Sequence, residues 1–448
     1  MSSFNFSPKN LAEIVYSELK ERSSPYPNLE ILIDLFELMY FASLKTEESQ
    51  PITFHAVYLD PDNPDPHPPR RISRDRWSYM RLAEPIPITI PNLVKIAKAS
   101  DPRTSSFAVY YDASERLSIW GLIDQGNRYH DFVSYDSESG PQRPGVFQAS
   151  LVGTGHLMVY IGYEKIAELK INALLGRAFD VLWSGPVHGA LVPGIQTYIE
   201  AVRRALPEYV YDDRSHWDTS LASYWISSLC RLLLRVQNYR HGGAVLITPD
   251  TSSYGLNVKY RLQYPRLRSA LETRALLGIQ QTYASDQIFA NCLEKSADEV
   301  PTDLYLDETV FGHELSENQS ELDGTLWFIA LLSRVDGLVL MSPTLEVQGF
   351  GVEITYAEEP SAVFMAGDNR ATKKRLRHID YNHYGTRHRS MMRYCAQVPG
   401  SVGFVVSQDG DVRVMTQVHS QLVMWENIKL RLDDFGRRPR RRNKDKNT

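Results

Sequence analysis

Cysteine is scarce: the 448 residues hold three, Cys230, Cys292 and Cys395, far apart and in no CxxC spacing. That excludes a disulfide framework and a cysteine-built zinc site, and it points to a reducing compartment. Long apolar runs are missing as well, and Met1-Ser2-Ser3-Phe4-Asn5 carries no basic region leading into an apolar core. No membrane partner is expected, and the expected location is cytoplasmic. Excess positive charge is also absent. The formal net charge is −5, and because Arg437 to Thr448 holds seven Arg or Lys against Asp445, the remainder stands near −11. The body therefore lacks the footprint of a nucleic-acid binder; only the tail could touch nucleic acid, weakly and without specificity. Gly349-Phe350-Gly351 lacks the third glycine of a dinucleotide fingerprint. His378, His383 and His388 recur every five residues, which is no helical face, so no zinc site is expected there.

What is present is ample apolar material, 43% hydrophobic and 11% aromatic, with 23% charged residues. A chain of this length and composition folds into two domains or more. Two helices are expected between Leu11 and Leu44, then strands at Ile52–Leu59, Ser106–Tyr111, Leu117–Ile123, Phe147–Val152 and His156–Gly162, with a helix around Pro91–Ala99. This half reads as α+β. The stretch from Asp60 to Arg71 carries five prolines, which forbid regular structure, and its aspartates with His67 read as a solvated loop rather than a cation site. A helix through Ile195, Tyr198, Ile199, Val202 and Leu206 follows, and the polar stretch Pro207–Ser215 is the best domain boundary.

The second half opens with an apolar helix, Leu221–Val236, a basic turn Tyr239-Arg240-His241-Gly242-Gly243 and a strand Ala244–Ile247. Paired glycines serve a plain turn or a close approach of backbone to a ligand, and the sequence leaves both open. From Leu326 to Val335 the pattern is that of an apolar helix, broken by Asp336-Gly337 ahead of a buried strand, Leu338–Met341. Around fifty residues later Arg387, His388 and Arg389 crowd together directly before a helical pattern, Ser390–Val398, that ends at Pro399-Gly400. A basic triplet there adds side-chain charge to free N–H groups and the positive end of the dipole, so phosphate is the obvious ligand. Val402–Ser407 reads as an interior strand, Asp409-Gly410 as a hairpin turn, and Val412, Val414 and Thr416 as one face of the return strand.

The order DG, then GTRHR opening a helix, then a buried strand ending in S-x-D-G, resembles the diadenylate cyclase (DAC) domain of the DisA type. Asp336 and Gly337 match two positions of that family's DGA motif, and Arg387, His388 and Arg389, with Thr386 before them, match its RHR motif completely. The chain departs at Leu338, where the commonest members have Ala, and at Ser407-Gln408-Asp409, where many have Ser-Glu-Glu. The resemblance covers roughly residues 217 to 425. It implies that two ATP molecules are joined into cyclic di-AMP with release of two pyrophosphates, with Mg²⁺ or Mn²⁺ as cofactor. By that resemblance Asp336, Gly337, Arg387, His388 and Arg389 are catalytic. The nucleotide would touch Leu338, Thr386, Ser407 and Asp409 besides the triplet, and Asp336 would hold the metal. It further implies a homo-oligomer with DAC domains meeting face to face.

Within the first half, Ala56–Pro64 and Tyr163–Leu169 resemble the sensor domain called DACNV that precedes some DAC domains, a domain without a known ligand. The expected organisation is therefore an α+β sensor-like domain at 1–210, a DAC-like α/β domain with a mixed sheet at 215–428, and a basic, disordered tail at 429–448. The alternatives are a catalytically degenerate nucleotide sensor or a cyclase of different nucleotide preference.

Overall fold

The computed structural model describes residues 6–20, 26–65, 77–101, 104–111, 116–124, 147–161, 164–175, 178–210, 217–239, 241–250, 254–294, 301–408 and 410–430. The fold is mixed α/β, in two compact units, Met1–Ala178 and Phe179–Thr448. The sequence marks its boundary at 207–215. The units divide earlier because the helix Pro186–Ala205 packs Val187, Leu191, Ile195, Ile199 and Val202 into the core of the second unit. The basic tail beyond Leu430 lies outside the described residues, as does the second half of the proline-rich loop, from Pro66 on.

In the first unit, helices α1 (Pro8–Lys20) and α2 (Leu29–Ser43) are followed by a small hairpin, β1 (Thr46–Glu47) and β2 (Gln50–Pro51). Asn28 starts α2 by accepting a hydrogen bond from the Ile31 N–H at 2.9 Å, which satisfies one of the free donors of the first turn. The main sheet is built from β3 (Phe54–Tyr58), β4 (Ser78–Pro87), β5 (Ser105–Tyr111), β6 (Leu117–Asp124), β7 (Phe147–Gly153), β8 (His156–Ile161), β9 (Glu164–Lys170) and β10 (Ala173–Leu175), with helix α3 (Ile90–Ile96) between β4 and β5. Its order is β10-β9-β8-β7-β3-β5-β6-β4, antiparallel except for the pair β3–β5. Strand side chains alternate between faces. Phe54, Ala56, Phe107 and Val109 therefore join the core with α1 and α2, while Val57, Leu59, Ala108 and Trp120 form a smaller cluster on the other side.

The second unit has five helices among its described residues: α4 (Pro186–Ala205), α5 (Asp218–Asn238), α6 (Arg266–Glu294), α7 (Thr302–Leu332) and α8 (Thr386–Gln397). Its strands are β11 (Gly243–Ile247), β12 (Leu256–Tyr264), β13 (Leu338–Met341), β14 (Val347–Ile354), β15 (Val363–Ala366), β16 (Leu376–Ile379), β17 (Val402–Val406), β18 (Val412–Val418) and β19 (Gln421–Trp425). They form one sheet in the order β12-β14-β13-β11-β17-β18-β19-β15-β16, parallel at β11–β13 and β15–β19 and antiparallel elsewhere. Val245, Ile247, Val339, Met341, Phe404 and Val406 face a core shared with α4 to α7; Ala244, Leu246, Leu338, Leu340 and Val405 face one shared with α8. Both faces of the central strands are covered, which is why they read as unbroken apolar runs. Met391, Met392, Tyr394 and Cys395 anchor α8 at 0% exposure. Each such burial is worth about 2 kcal/mol, enough to fix the helix start on the sheet.

Two element limits differ from the sequence reading. The helix before Asp336 is the C-terminal end of a 31-residue helix, Thr302–Leu332, and stops at Leu332 instead of Val335. Helix α8 begins at Thr386, so Arg387, His388 and Arg389 form its first turn instead of preceding it.

Candidate functional site

Register decides which loops meet at the end of the second sheet. The parallel pairing Val245↔Val339 sets Gly243 level with Gly337, and the antiparallel pairing Gly243↔Val406 brings the end of β17 to the same level. Neighbouring strands lie about 4.8 Å apart. Asp336-Gly337, Gly242-Gly243 and Ser407-Gln408 are thus side by side over roughly 10 Å of sheet edge. Two glycines let these loops close up. Gly337 has φ +113°, and a Cβ there would lie 2.6 Å from the Gly351 carbonyl carbon and 2.8 Å from Val352 N and O. Gly242 has φ +72°, and a Cβ would lie 3.1 Å from Arg387 Nη1, 3.1 Å from the Val406 carbonyl and 3.3 Å from Gln408 N. Arg387 therefore rests against the Gly242 turn, one strand away from the loop that carries Asp336. The two sequence motifs come together through a turn that neither contains.

The triplet sits in the first turn of α8. Gly385 caps the helix without a side-chain hydrogen bond, and its carbonyl accepts from the N–H groups of His388 (3.0 Å) and Arg389 (3.1 Å). The first donors of the turn are left for another acceptor. Arg387 and Arg389 are half-buried, and among the described residues neither forms an ion pair; Arg389 Nε is buried with no hydrogen-bond partner. One turn further on, Arg393 behaves as a structural arginine does, donating to the Tyr356 carbonyl at 3.2 Å and lying 3.7 Å from Glu359. Two guanidinium groups without internal counter-ions beside an uncapped helix start make an anion cradle.

His388 is held from behind. Arg413 Nη1 lies 3.2 Å from His388 Nε2, Arg413 Nε donates to Glu426 Oε1 at 2.8 Å, and the Tyr384 hydroxyl donates to the same oxygen at 3.1 Å. The Tyr384 and His388 rings are 5.5 Å apart. Burial, then the positive charge of Arg413, push the imidazole down to about 4, with the Arg387 charge adding to the effect against the opposing pull of Glu426. His388 is uncharged at neutral pH.

The remaining expected residues are placed as follows. Asp336 is exposed; its charge helps to raise the pKa of Lys259, whose main partner is Glu353 at 2.6 Å. Thr386 is exposed as the first helical residue. Leu338 is 5% exposed and packed in the cluster under α8. Ser407 spends its oxygen on its own hairpin, accepting from the Asp411 N–H at 3.0 Å, and Gln237 ties the same hairpin to α5 by donating to the Gly410 carbonyl at 2.6 Å. Asp409 lies outside the described residues. No three His, Cys, Asp or Glu among the described residues gather as a metal cage. Asp336 alone fits Mg²⁺ or Mn²⁺ in one way, as a single carboxylate on a cation held mainly by nucleotide phosphates.

A match to a known family lies in the first unit. Residues 21–124 match the family model described as "Probable sensor domain DACNV". The DACNV segment takes in α2, the parallel pair β3–β5, β6 and the edge strand β4, and it includes Ala56–Pro64 but stops short of Tyr163–Leu169. No curated protein matches the chain. No helix among the described residues is long and apolar enough to cross a membrane.

Sequence reasoning did not single out Arg413, Glu426 or Tyr384 and left Gly242 undecided. For Gly242 the signal was the doubled glycine itself. Arg413 lies in β18 and Glu426 directly after β19, with nothing local to mark them; only the pairing of β17 with β18 and of β18 with β19 brings them under α8.

Proposed function

We propose that the second unit is a diadenylate cyclase domain and that the DACNV-containing first unit controls it. What carries the reading is the convergence at one sheet end of the Asp336-Gly337 loop and the unpaired Arg387 and Arg389, joined through Gly242. A sensor segment typical of DisA-like diadenylate cyclases ahead of it supports the same reading.

The reaction joins two ATP molecules: each 3′-oxygen bonds to the other nucleotide's α-phosphorus, the bond from that phosphorus to the pyrophosphate oxygen breaks, and each hydroxyl proton leaves to a base. Arg387 and Arg389 bind the triphosphate, because a guanidinium fork stays charged and pairs with phosphate oxygens two at a time. The uncharged His388 gives one hydrogen bond to the same group. Asp336 accepts from the 3′-hydroxyl or offers its carboxylate to the divalent cation. When bound, that cation neutralises developing charge at the phosphates. Gly337 keeps the loop close enough to β14 to leave room for ribose, and Leu338, packed under α8, braces the loop from inside instead of touching the base. Two copies of the half-site facing each other supply the opposed polarity the product needs, so the active species is a homo-oligomer with an isologous contact between DAC domains. One copy binds ATP and forms no product.

The single carboxylate, and Gln408 beside the anion cradle, favour as second reading a nucleotide sensor without turnover. Incubating the protein with ATP and Mn²⁺ or Mg²⁺ and weighing the products separates the two. Cyclic di-AMP that disappears in both Asp336→Ala and Arg387→Ala is the expected result. ATP binding that Arg387→Ala weakens, with no product under either metal, would replace the cyclase with the sensor.

A further inference from the structure

The contact between Arg413 and His388 has only one chemically allowed direction. A guanidinium has five donors and no acceptor, and it does not lose its proton in proteins. At 3.2 Å from Arg413 Nη1, His388 Nε2 must therefore accept, so its lone pair is there and the ring proton is on Nδ1. A second proton on Nε2 would set two donors and two positive charges against each other. Arg413 itself has little freedom: Glu426 Oε1 takes its Nε–H at 2.8 Å and the Tyr384 hydroxyl at 3.1 Å, Asp411 lies 3.7 Å from its Nη2, and the guanidinium stands 5.6 Å from the Tyr384 ring centre. The charged and titratable groups around the imidazole are thus Arg387 on its own helix, Arg413 on β18, Glu426 after β19 and Tyr384 before the helix.

We propose that Arg413, held by Glu426, is a positioning residue that fixes His388 as the uncharged, Nδ1-protonated tautomer, so that the triplet meets nucleotide phosphate with two permanent charges and one neutral directed donor. The role toward phosphate rests on the nucleotide-binding reading above; the tautomer does not. A fixed neutral donor between two arginines adds direction to the site without a third charge, and its proton stays in place while pyrophosphate charge develops. Binding of the triphosphate then owes most to Arg387 and Arg389, and alignment of the leaving group owes most to His388.

The test uses the full chain with ¹⁵N-labelled histidine. Long-range ¹H–¹⁵N spectra read both ring nitrogens, and the His388→Gln variant assigns the signals. The expected spectrum has an unprotonated Nε2 and a protonated Nδ1, unchanged down to pH 5. Arg413→Met should release the tautomer and move the titration up toward the ordinary histidine value, near 6.5. Arg413→Lys, which keeps a cationic donor, should restore it in part. Glu426→Gln leaves Arg413 in place and serves if Arg413→Met fails to fold; it should show a mixed tautomer. In the ATP reaction, Arg413→Met should lower kcat about tenfold to a hundredfold with little change in KM, and shift the acid limb of the pH profile upward. A protonated Nε2 in the wild type, or an unmoved tautomer and titration in both Arg413→Met and Glu426→Gln, would overturn the proposal. A wild type with the expected tautomer that forms no product leaves the positioning intact and refutes the cyclase reading instead.

Discussion

Replacing Gly242 with alanine separates a cost in stability from a cost in ligand binding. The φ of +72° is left-handed backbone that alanine enters at about 1 to 2 kcal/mol. The new methyl would also lie 3.1 to 3.3 Å from three atoms, two of them backbone and one the guanidinium of Arg387. Backbone of the central strands yields least, so the guanidinium end of Arg387 moves, by a few tenths of an ångström. A fully lost preorganised charged contact costs on the order of 3 kcal/mol, about a hundredfold; a displaced one should cost about half of that, near tenfold in ATP affinity. Gly400→Ala is the control. Its φ is +81°, so it carries a similar backbone cost, but its nearest neighbour is a Pro249 side-chain atom at 3.5 Å and it sits before the opposite end of β17. Urea denaturation and ATP titration of both variants give the comparison. Equal losses of stability with weakened ATP binding in Gly242→Ala alone are expected. Binding weakened equally in both, or in neither, would refute the placement of Arg387 against this turn as part of the site.

Gly337→Ala should destabilise the second unit far more than Gly242→Ala, by over 3 kcal/mol in urea denaturation, because a Cβ would stand 2.6 to 2.8 Å from the backbone of β14, which cannot move aside. In the first unit, burial raises the Glu168 carboxyl, but hydrogen bonds and charge from His156 and Lys165, each 2.6 Å away, outweigh it and hold the group at about 2. Its folded value lies below the ordinary 4.5, so the stabilisation is present above pH 4.5 and is lost as pH falls through about 2. Glu168→Gln should cost about 3 kcal/mol near neutral pH, a gap that closes in acid when both proteins are unfolded in urea across that range. His388 has the same sign: between 6.5 and about 4 the unfolded chain binds the proton and the folded one does not, so stability falls as pH drops through that window. His388→Gln should flatten that part of the stability curve.

The central strands of both sheets were legible because burial on one or both faces writes itself as alternation or as unbroken apolar runs, as at Leu338–Met341 and Val402–Val406. The pair α6 and α7 was not. Their outer turns leave Phe289, Leu293, Leu306 and Val310 exposed, so no single apolar stripe marks them. Strand β4 escaped for a related reason: an edge strand with most residues exposed and two prolines near its end has no core face to display. At the site, GTRHR and DG could be read as motifs, yet their meeting place was a property of register, and register is set by strands far apart in sequence, as Val245 is from Val339 and Gly243 from Val406. The triplet's place inside the helix, and the support of His388 by Arg413 and Glu426, likewise depend on which strand lies beneath α8.

The most direct measurement is the product balance of the purified chain with ATP and Mn²⁺ or Mg²⁺, taken by mass and ³¹P spectra in wild type and Arg387→Ala. The account predicts cyclic di-AMP with two pyrophosphates per molecule formed in the wild type, and a loss of about a hundredfold or more in the variant. Intact ATP in a wild type that binds it, or a product indifferent to Arg387, would contradict it.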